Sequence, residues 1–162
     1  MSKGFVPSVA FGLAPLGQDQ SREIRLWLSP TWGDPQVIRV TLDIRDAEVQ
    51  LIRLPRGRLH QYFNDQDFSV PCPGAQSKIA QLSAGLRGRI ENRLGLFACL
   101  PSKEPTGTDG HTLTIEVSLD EQLHRAVAWC PRSNHWVEAV TLLHDVAEAA
   151  LDVNIPIEDY LG

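Results

Sequence analysis

The sequence predicts an α+β fold: a mainly antiparallel sheet of about five strands, in the order βββ-α-ββ-α, with helices packed on one face. Apolar and polar residues alternate in five short segments bounded by turn residues, which is the pattern of half-buried strands. Two longer segments instead repeat apolar residues every three or four positions, as amphipathic helices do. Eleven Pro and twelve Gly among 162 residues favour many turns over a helical bundle.

The first half of the chain predicts a three-stranded antiparallel meander that faces solvent on one side. In the clearest strand, Ile38, Val40 and Leu42 lie on one side, whereas Arg39 and Thr41 lie on the other. The strands are predicted at residues 23–28, 37–44 and 48–54, after an irregular entry over residues 1–20.

The middle of the chain predicts a loop followed by a helix. Turn residues occur throughout Pro55 to Pro73, so we expect a loop there, with one candidate strand at residues 67–70. From Ala75 to Leu94, apolar residues recur at steps of three and four, which predicts an amphipathic helix. Its expected buried residues are Ile79, Leu82, Leu86, Ile90 and Leu94.

The second half predicts a hairpin and a closing helix. Residues 112–119 alternate strictly between apolar and polar side chains, and residues 123–130 return as the hairpin partner. Pro131 ends that strand because it lacks an N–H donor. Ser133 or Asn134 is in position to cap the helix that follows.

The length of the chain fits a single domain, residues 1–162, with a sizeable buried core. The polar loop that follows Pro101 separates segments too short to form cores of their own. The tail over residues 152–162 is apolar enough that we expect it to dock on the same domain.

The compartment is predicted from what the chain lacks and from its cysteines. No apolar run approaches the roughly 18 residues of a membrane helix, and Pro and Gly interrupt the N-terminal segment, so we expect neither a membrane span nor a signal peptide. Cys72, Cys99 and Cys130 are odd in number and widely spaced, which is typical of reduced thiols. The sequence therefore predicts a cytoplasmic protein without a cofactor.

Charge is unevenly distributed along the chain, whose formal charge is −5. Residues 1–101 contain 12 Lys and Arg against 9 Asp and Glu, whereas residues 102–162 contain 3 against 11, a balance of −8. An acidic surface repels phosphate backbones and speeds the encounter with basic proteins. We therefore expect no nucleic-acid partner and favour a basic protein. An acidic face that serves only solubility is the alternative.

No sequence motif points to catalysis or phosphate binding. The chain contains neither a Gly-x-Ser-x-Gly elbow nor a Gly-rich phosphate loop. The closest approach to a metal site is His124, Cys130 and His135, whose spacing is looser than that of zinc ligands and which lack a fourth partner. We expect no metal site and no enzymatic activity.

Two tryptophans in the first half are candidates for interface contacts. Trp27 points to the side of its strand opposite the apolar residues, and Trp32 stands in a turn. Exposed Trp side chains are over-represented among binding hot spots. The alternative is that other elements cover both side chains and bury them.

The order of these segments resembles an uncharacterised family of small bacterial cytosolic proteins. In that family an Asp-Gly turn precedes a strand ending in Ile/Leu-Glu, and a Trp-x-Pro precedes the final helix. The corresponding segments here are residues 24–26, 37–40, 109–116 and 124–131, including Asp109-Gly110 and Trp129-Cys130-Pro131. The likeness covers residues 22–151, but residues 53–75 lack the Gly-rich, Tyr-containing stretch expected there.

Such proteins are similar in size, acidity and lack of catalytic motifs to immunity proteins, which neutralise a toxic effector delivered by neighbouring cells. The resemblance implies a monomer or homodimer that caps a basic toxin domain. The contacts that it implies are Trp27, Trp32, Asp43, Asp65 and Asp67. The competing hypotheses are an effector chaperone, which would bind its partner unfolded or at a terminus, and an adaptor subunit, which would show a broad apolar patch. A small enzyme is the third, and it would need a deep polar pocket.

Overall fold

A computed structural model of the chain describes residues 8–18, 22–65, 69–102, 110–157 and 160–161. They form a six-stranded antiparallel sheet with the strand order β4-β3-β2-β1-β5-β6. The strands are β1 Arg22–Pro30, β2 Gln36–Leu42, β3 Ala47–Arg53, β4 Gln76–Gln81, β5 His111–Leu119 and β6 Gln122–Trp129. The helices are α1 Arg56–Asp65, α2 Ala84–Glu91, α3 Leu94–Ala98 and α4 Asn134–Leu151, and a short 3₁₀ helix, Ser8–Phe11, precedes β1.

The α+β class and the five predicted strands are confirmed, and β4 is one strand more than predicted. Each of β2, β3 and β4 pairs with the preceding strand along the chain, and β5 then pairs with β1 on its other side. β1 is therefore a central strand, with Leu26 between Ile38 of β2 and Ile115 of β5. Asp120 and Glu121 both have positive φ in the two-residue turn that joins β5 to β6.

The first face of the sheet carries the main apolar core. Ile24, Leu26 and Leu28 of β1 are fully buried there. They belong to one cluster with the apolar side of α4, which includes Val140 and Leu143. The predicted closing helix is confirmed as α4. The buried side chains recur at three- and four-residue steps along the side of α4 that faces the sheet.

The second face of the sheet is also covered, so the prediction of a solvent-facing side is wrong for β1. Phe11 packs edge-on against Trp27, with ring centroids 5.0 Å apart. Farther along the same segment, the carbonyl of Ala14 accepts a 2.8 Å hydrogen bond from Nη2 of Arg25. Residues 8–14 thus lie across this face.

Helix α1 packs on the second face as well, so only α2, α3 and α4 share the first face. Leu59 and Tyr62 of α1 are buried in a second apolar cluster together with Trp27 and Ile52. The expectation that the helices pack on one face therefore fails for α1. The remaining members of this second cluster are Ala10, Phe11, Leu13, Val37, Leu54 and Cys72.

The helix predicted over residues 75–94 is replaced by β4 and α2, and Leu94 begins α3. Residues 76–81 form β4, in which Ile79 is 57% exposed instead of buried. The helix begins only at Ala84, because the Ser83 side chain accepts a 3.2 Å hydrogen bond from the N–H of Leu86 and so caps its first turn. Arg87 of this helix donates to Glu91, and that hydrogen bond, with the charges of Arg87 and Arg22, lowers the pKa of the Glu91 carboxyl.

The loop predicted between Pro55 and Pro73 contains helix α1. The candidate strand at residues 67–70 is wrong where it can be compared, since Ser69 and Val70 form a turn and a bend. Residues 67 and 68 lie outside the described residues.

The C-terminal tail packs against the main core over the residues that the structure describes. Ile155, Ile157 and Tyr160 are buried in the main core. The tail is tied to α4 through His144, whose Nε2 lies 2.6 Å from the carbonyl of Ile155. No helix within the described ranges is both long enough and apolar enough to cross a lipid bilayer.

Candidate functional site: an exposed tryptophan and a groove beside α1

The structure brings two of the five predicted contact residues to one region. Trp32 lies beside the first residue of α1, and Asp65 is the last residue of that helix. A ten-residue helix rises about 15 Å, so the two residues mark opposite ends of one short surface. Asp43 lies elsewhere, and Asp67 lies outside the described residues.

Trp27 is not an exposed contact residue. Its side chain does point away from the first face, as the alternation predicts, but it is only 3% exposed because Phe11 and its neighbours cover it. Its indole Nε1 donates a 2.7 Å hydrogen bond to Oε2 of Glu116 on β5. Trp27 therefore holds the sheet to the N-terminal segment.

Asp43 has a local structural role at the turn between β2 and β3. Its Oδ1 accepts a 2.7 Å hydrogen bond from the N–H of Ile44, and its carbonyl accepts a 2.6 Å bond from Nη2 of Arg87. Because β2 separates Asp43 from Trp32, these two residues lie at opposite ends of that strand. One rigid partner surface that contacts Trp32 and Asp65 would have to extend along the strand to reach Asp43.

The loop that carries Trp32 is tied to its neighbours on both sides. The N–H and Oγ1 of Thr31 each donate a 2.8 Å hydrogen bond to the carbonyl of Gly110. Asp34 accepts a 2.8 Å bond from the N–H of Arg56 at the start of α1, and its other carboxylate oxygen lies 3.0 Å from Nε of Arg53. The loop is therefore fixed to β5 on one side and to α1 on the other.

Trp32 projects from this fixed loop and is 73% exposed. The guanidinium carbon of Arg56 lies 5.0 Å from the centre of its ring, which is the geometry of a cation–π contact. The indole therefore has one ring face against a cation while most of its surface meets solvent.

A groove of about 290 Å³ lies along the side of α1. Arg58, Gln61 and Asp65 line it from the helix, and Val70 contributes an exposed apolar side chain from the following segment. Tyr62 and Pro73 complete its wall. The groove offers a cation, an amide and a carboxylate beside an apolar patch, which can recognise a polypeptide surface.

The base of this region is packed. Cys72, which follows the groove residues along the chain, is buried, and its N–H donates a 2.9 Å hydrogen bond to the carbonyl of Ala10. Burial raises the pKa of the Cys72 thiol, and the charge of Arg58 opposes that shift. The thiol is therefore a poor candidate for a reactive nucleophile.

We name this region the Trp32–α1 surface and define it as Trp32, Arg56, Arg58, Gln61, Asp65 and Val70. Because the sequence predicts a loop here, it does not place Arg56, Arg58 and Gln61 beside Trp32 among the contact residues. One signal was present in the sequence: Pro55 directly precedes a run that lacks β-branched residues, and Pro is favoured at helix starts.

Of His124, Cys130 and His135, the closest approach to a metal site in the sequence, the first two have different contacts in the structure. His124 contacts the carbonyl of Leu100, and Cys130 accepts a hydrogen bond from the N–H of His111. Among the described residues, no three His, Cys, Asp or Glu side chains are grouped closely enough to hold a metal ion.

A second cavity, of about 410 Å³, lies between α3 and α4. It is lined by Cys99, His135 and Glu138, residue types that occur in thiol enzymes. Here Oε2 of Glu138 binds Nη2 of Arg93 at 2.6 Å. No hydrogen bond joins Cys99 to His135 within the described part of the chain, so the cavity does not contain an assembled nucleophile and base.

The carboxylates of the acidic last third are partly paired within the protein. Glu116 binds Trp27 and lies 3.6 Å from Nε of Arg125, and Glu138 binds Arg93. Two of the eleven carboxylates of residues 102–162, those of Glu116 and Glu138, are therefore offset by nearby arginines.

Comparison with known proteins finds no match among family models, curated proteins or solved structures. The resemblance to a family of small bacterial proteins stays a prediction.

Proposed function

We propose that this chain is a non-catalytic protein-binding module that holds a folded partner through the Trp32–α1 surface. In the specific form that we favour, it is an immunity-type inhibitor that acts in the bacterial cytoplasm and caps a toxic effector. The observation that carries the proposal is the 73% exposure of Trp32 on a loop fixed at both ends.

An exposed indole is well suited to binding because burying it in a partner removes a large apolar surface from water. Trp is one of the residue types enriched at the hot spots of protein interfaces, where truncation costs about 2 kcal/mol or more. A solvent-exposed Trp with no binding role would contribute none of the burial free energy that Trp27 contributes in the same protein.

The fixed position of Trp32 lowers the entropic cost of binding. The hydrogen bonds of Thr31 and Asp34 hold the loop, and Arg56 restricts the indole. A surface that is already ordered before association loses less conformational freedom than a flexible loop does.

The charges near Trp32 favour a partner with acceptor groups at this point. Arg56 and Arg58 are exposed on α1, whereas Asp65 supplies one carboxylate at the far end. A partner that places carboxylates or backbone carbonyls opposite the two guanidinium groups complements this pattern. Support for the proposal therefore comes from Trp32 and α1 more than from the acidic last third.

The experiment is co-expression with the toxin-like product of the neighbouring reading frame. The wild-type chain should restore growth and bind the folded toxin domain. Trp32→Ala should weaken binding by about 30-fold or more, the equivalent of about 2 kcal/mol, and should abolish rescue. Arg58→Ala and Asp65→Asn should each weaken binding less.

The matched control is Ile44→Ala, because Ile44 is 93% exposed but lies at the β2–β3 turn, away from α1. It should bind and rescue like the wild type. Trp32→Ala should change the free energy of unfolding by no more than about 0.5 kcal/mol, since the side chain is on the surface. The proposal is wrong if the wild-type chain neither binds nor rescues, or if Trp32→Ala binds as tightly as the wild type.

Binding to the unfolded toxin alone would instead support the effector-chaperone hypothesis. Thermal unfolding of the toxin with and without this chain separates the two, because an inhibitor that binds the folded domain raises its unfolding temperature.

A further inference from the structure

Strand β4 forms one edge of the sheet and is open to solvent. Five of its six residues are exposed, and only Ala80 is half-buried. β3 pairs with one side of it, and no described segment pairs with the other. Neither a proline nor a left-handed residue interrupts Gln76–Gln81, so its backbone can accept another strand.

The hydrogen-bond pattern shows which backbone groups face outward. The N–H of Leu82 donates to the carbonyl of Ala47 at 2.7 Å, so this pair marks the hydrogen-bonded rungs between β4 and β3. In an antiparallel ladder the rungs alternate, and Gln76, Lys78 and Ala80 therefore also direct their backbone groups towards β3. The alternate residues, Ser77, Ile79 and Gln81, direct theirs towards solvent.

We propose that this edge pairs with the β4 edge of a second copy of the chain. The two strands run antiparallel about a twofold axis perpendicular to the sheet, with Ile79 opposite Ile79 of the other copy. Ser77 of each copy then faces Gln81 of the other. This register forms about six intermolecular backbone hydrogen bonds and joins two six-stranded sheets into one.

A second copy fits this edge because the edge is complementary to itself. Ile79, which is 57% exposed, meets its own equivalent and both are removed from water. Lys78, the one charged residue of β4, faces the small side chain of Ala80, so like charges do not oppose each other. If the twofold axis passed through Ser77 or Gln81 instead, fewer of the outward-facing backbone groups would have a hydrogen-bond partner in the other copy.

The opposite edge of the sheet, β6, does not offer the same surface. The N–H of Cys130 donates to the carbonyl of His111, so alternate residues of β6, which include Val127, direct their backbone groups away from β5. The N–H of Val127 already donates to Oγ of Ser102 at 3.2 Å. His124 of the same strand contacts the carbonyl of Leu100. Leu100 and Ser102 thus cover part of that edge, which leaves β4 as the more open edge among the described residues.

A six-residue strand pair is small for a protein interface, so the dimer should be reversible, with a Kd in the range of about 10 µM to 1 mM. Sedimentation velocity over this concentration range should show monomer and dimer in exchange. A monomer at every concentration up to about 1 mM would overturn the proposal.

The register gives a selective test at position 79. Ile79→Lys and Ile79→Glu should each dissociate the dimer, raising Kd by about tenfold or more, because the twofold axis places like charges opposite each other. An equimolar mixture of the two variants should associate again, since opposite charges then face. Ile44→Lys is the matched control and should leave Kd unchanged. If the mixture stays monomeric while the control dimerises, the register is wrong.

Cross-linking tests the same register without charge. Paired residues on hydrogen-bonded rungs have Cα atoms about 5.5 Å apart, which suits a disulfide. In a Cys99→Ser background, Ile79→Cys should give a covalent dimer on mild oxidation, and Ser77→Cys should not, because Ser77 faces Gln81. Equal cross-linking of both variants would reflect random collision and would contradict the proposed pairing.

Discussion

Opposite faces of the central strand β1 are buried in different ways. On the first face Leu26 lies among aliphatic side chains of the two neighbouring strands. On the second face Arg25 is equally buried, and its Nε donates to Oε1 of Glu23, which also accepts a 2.6 Å hydrogen bond from Nε of Arg39. Apolar packing holds the first face, whereas the second combines an apolar cluster with buried ion pairs.

The second face is organised in rows across the sheet. An apolar row containing Trp27 lies next to a charged row containing Arg25, and a polar row containing Glu23 follows. The rows are Ile52–Val37–Trp27–Thr114–Val127, Gln50–Arg39–Arg25–Glu116–Arg125 and Glu48–Thr41–Glu23–Ser118–Leu123. The N-terminal segment can cover the charged row only because the chain itself supplies the opposite charges and the carbonyl of Ala14.

This difference between the two faces shows that burial alone does not define the core of this protein. The first face tolerates any aliphatic side chain of similar volume, since dispersion and burial are not directional. The second face requires each charge to keep its partner, because an uncompensated buried charge is costly.

The largest expected effect is that of Glu23→Ala. Removing the carboxylate leaves the Arg25 guanidinium, which is 1% exposed, without its buried anion, and we expect a loss of about 3–5 kcal/mol in the free energy of unfolding. Urea unfolding measures it. The double variant Glu23→Leu with Arg25→Met should recover most of the loss, because apolar side chains can replace a buried ion pair. A loss below about 1 kcal/mol for Glu23→Ala would contradict the assigned role of the ion pairs.

Leu26→Ala tests the first face and should cost slightly less, about 3 kcal/mol, because it removes buried methyl groups and leaves a cavity. The loss should be the same in low and high salt. The loss caused by Glu23→Ala should instead change with salt concentration, because that substitution leaves arginine charges without their partner. Urea unfolding at two salt concentrations gives the comparison. A salt-sensitive loss for Leu26→Ala would remove the distinction between the two faces.

The smallest of the three effects is expected for Trp27→Phe, about 2 kcal/mol. The smaller ring can still pack against Phe11, but the hydrogen bond to Glu116 is lost. Trp32→Phe is the matched control and should change the free energy of unfolding by less than about 0.5 kcal/mol, because that side chain is exposed. Equal losses for the two variants would mean that Trp27 is not the apolar anchor of the second face.

Much of the fold was predictable because strands encode their alternation locally. In β2 and β5 the period of two indicates both the strand and the side to which each residue points. β4 was not predictable in this way, since the spacing from Ile79 to Leu82 fits a helix as well as a strand end. Pairing with β3 decided between them, and that pairing joins residues far apart in the sequence.

The candidate site was predictable only in part. Trp32 was identified because a Trp in a Pro- and Gly-rich turn has few neighbours in the sequence to bury it. Trp27 is buried instead of exposed because residues 8–13, whose sequence shows no periodicity, fold over it. Asp65 and Trp32 mark the two ends of one surface only because α1 connects them, and the local sequence pattern did not indicate that helix.

By itself, the sequence determined the α+β class, the side of each of the five predicted strands on which apolar residues lie, the positions of the β5–β6 hairpin and the closing helix, and the direction in which Trp27 points. These properties follow from backbone sterics and side-chain period within a few residues. Only the tertiary structure decided which face and which edge are covered. Burial depends on segments that meet in space from distant parts of the chain, so Trp27 is enclosed, whereas Trp32 and the β4 edge remain accessible.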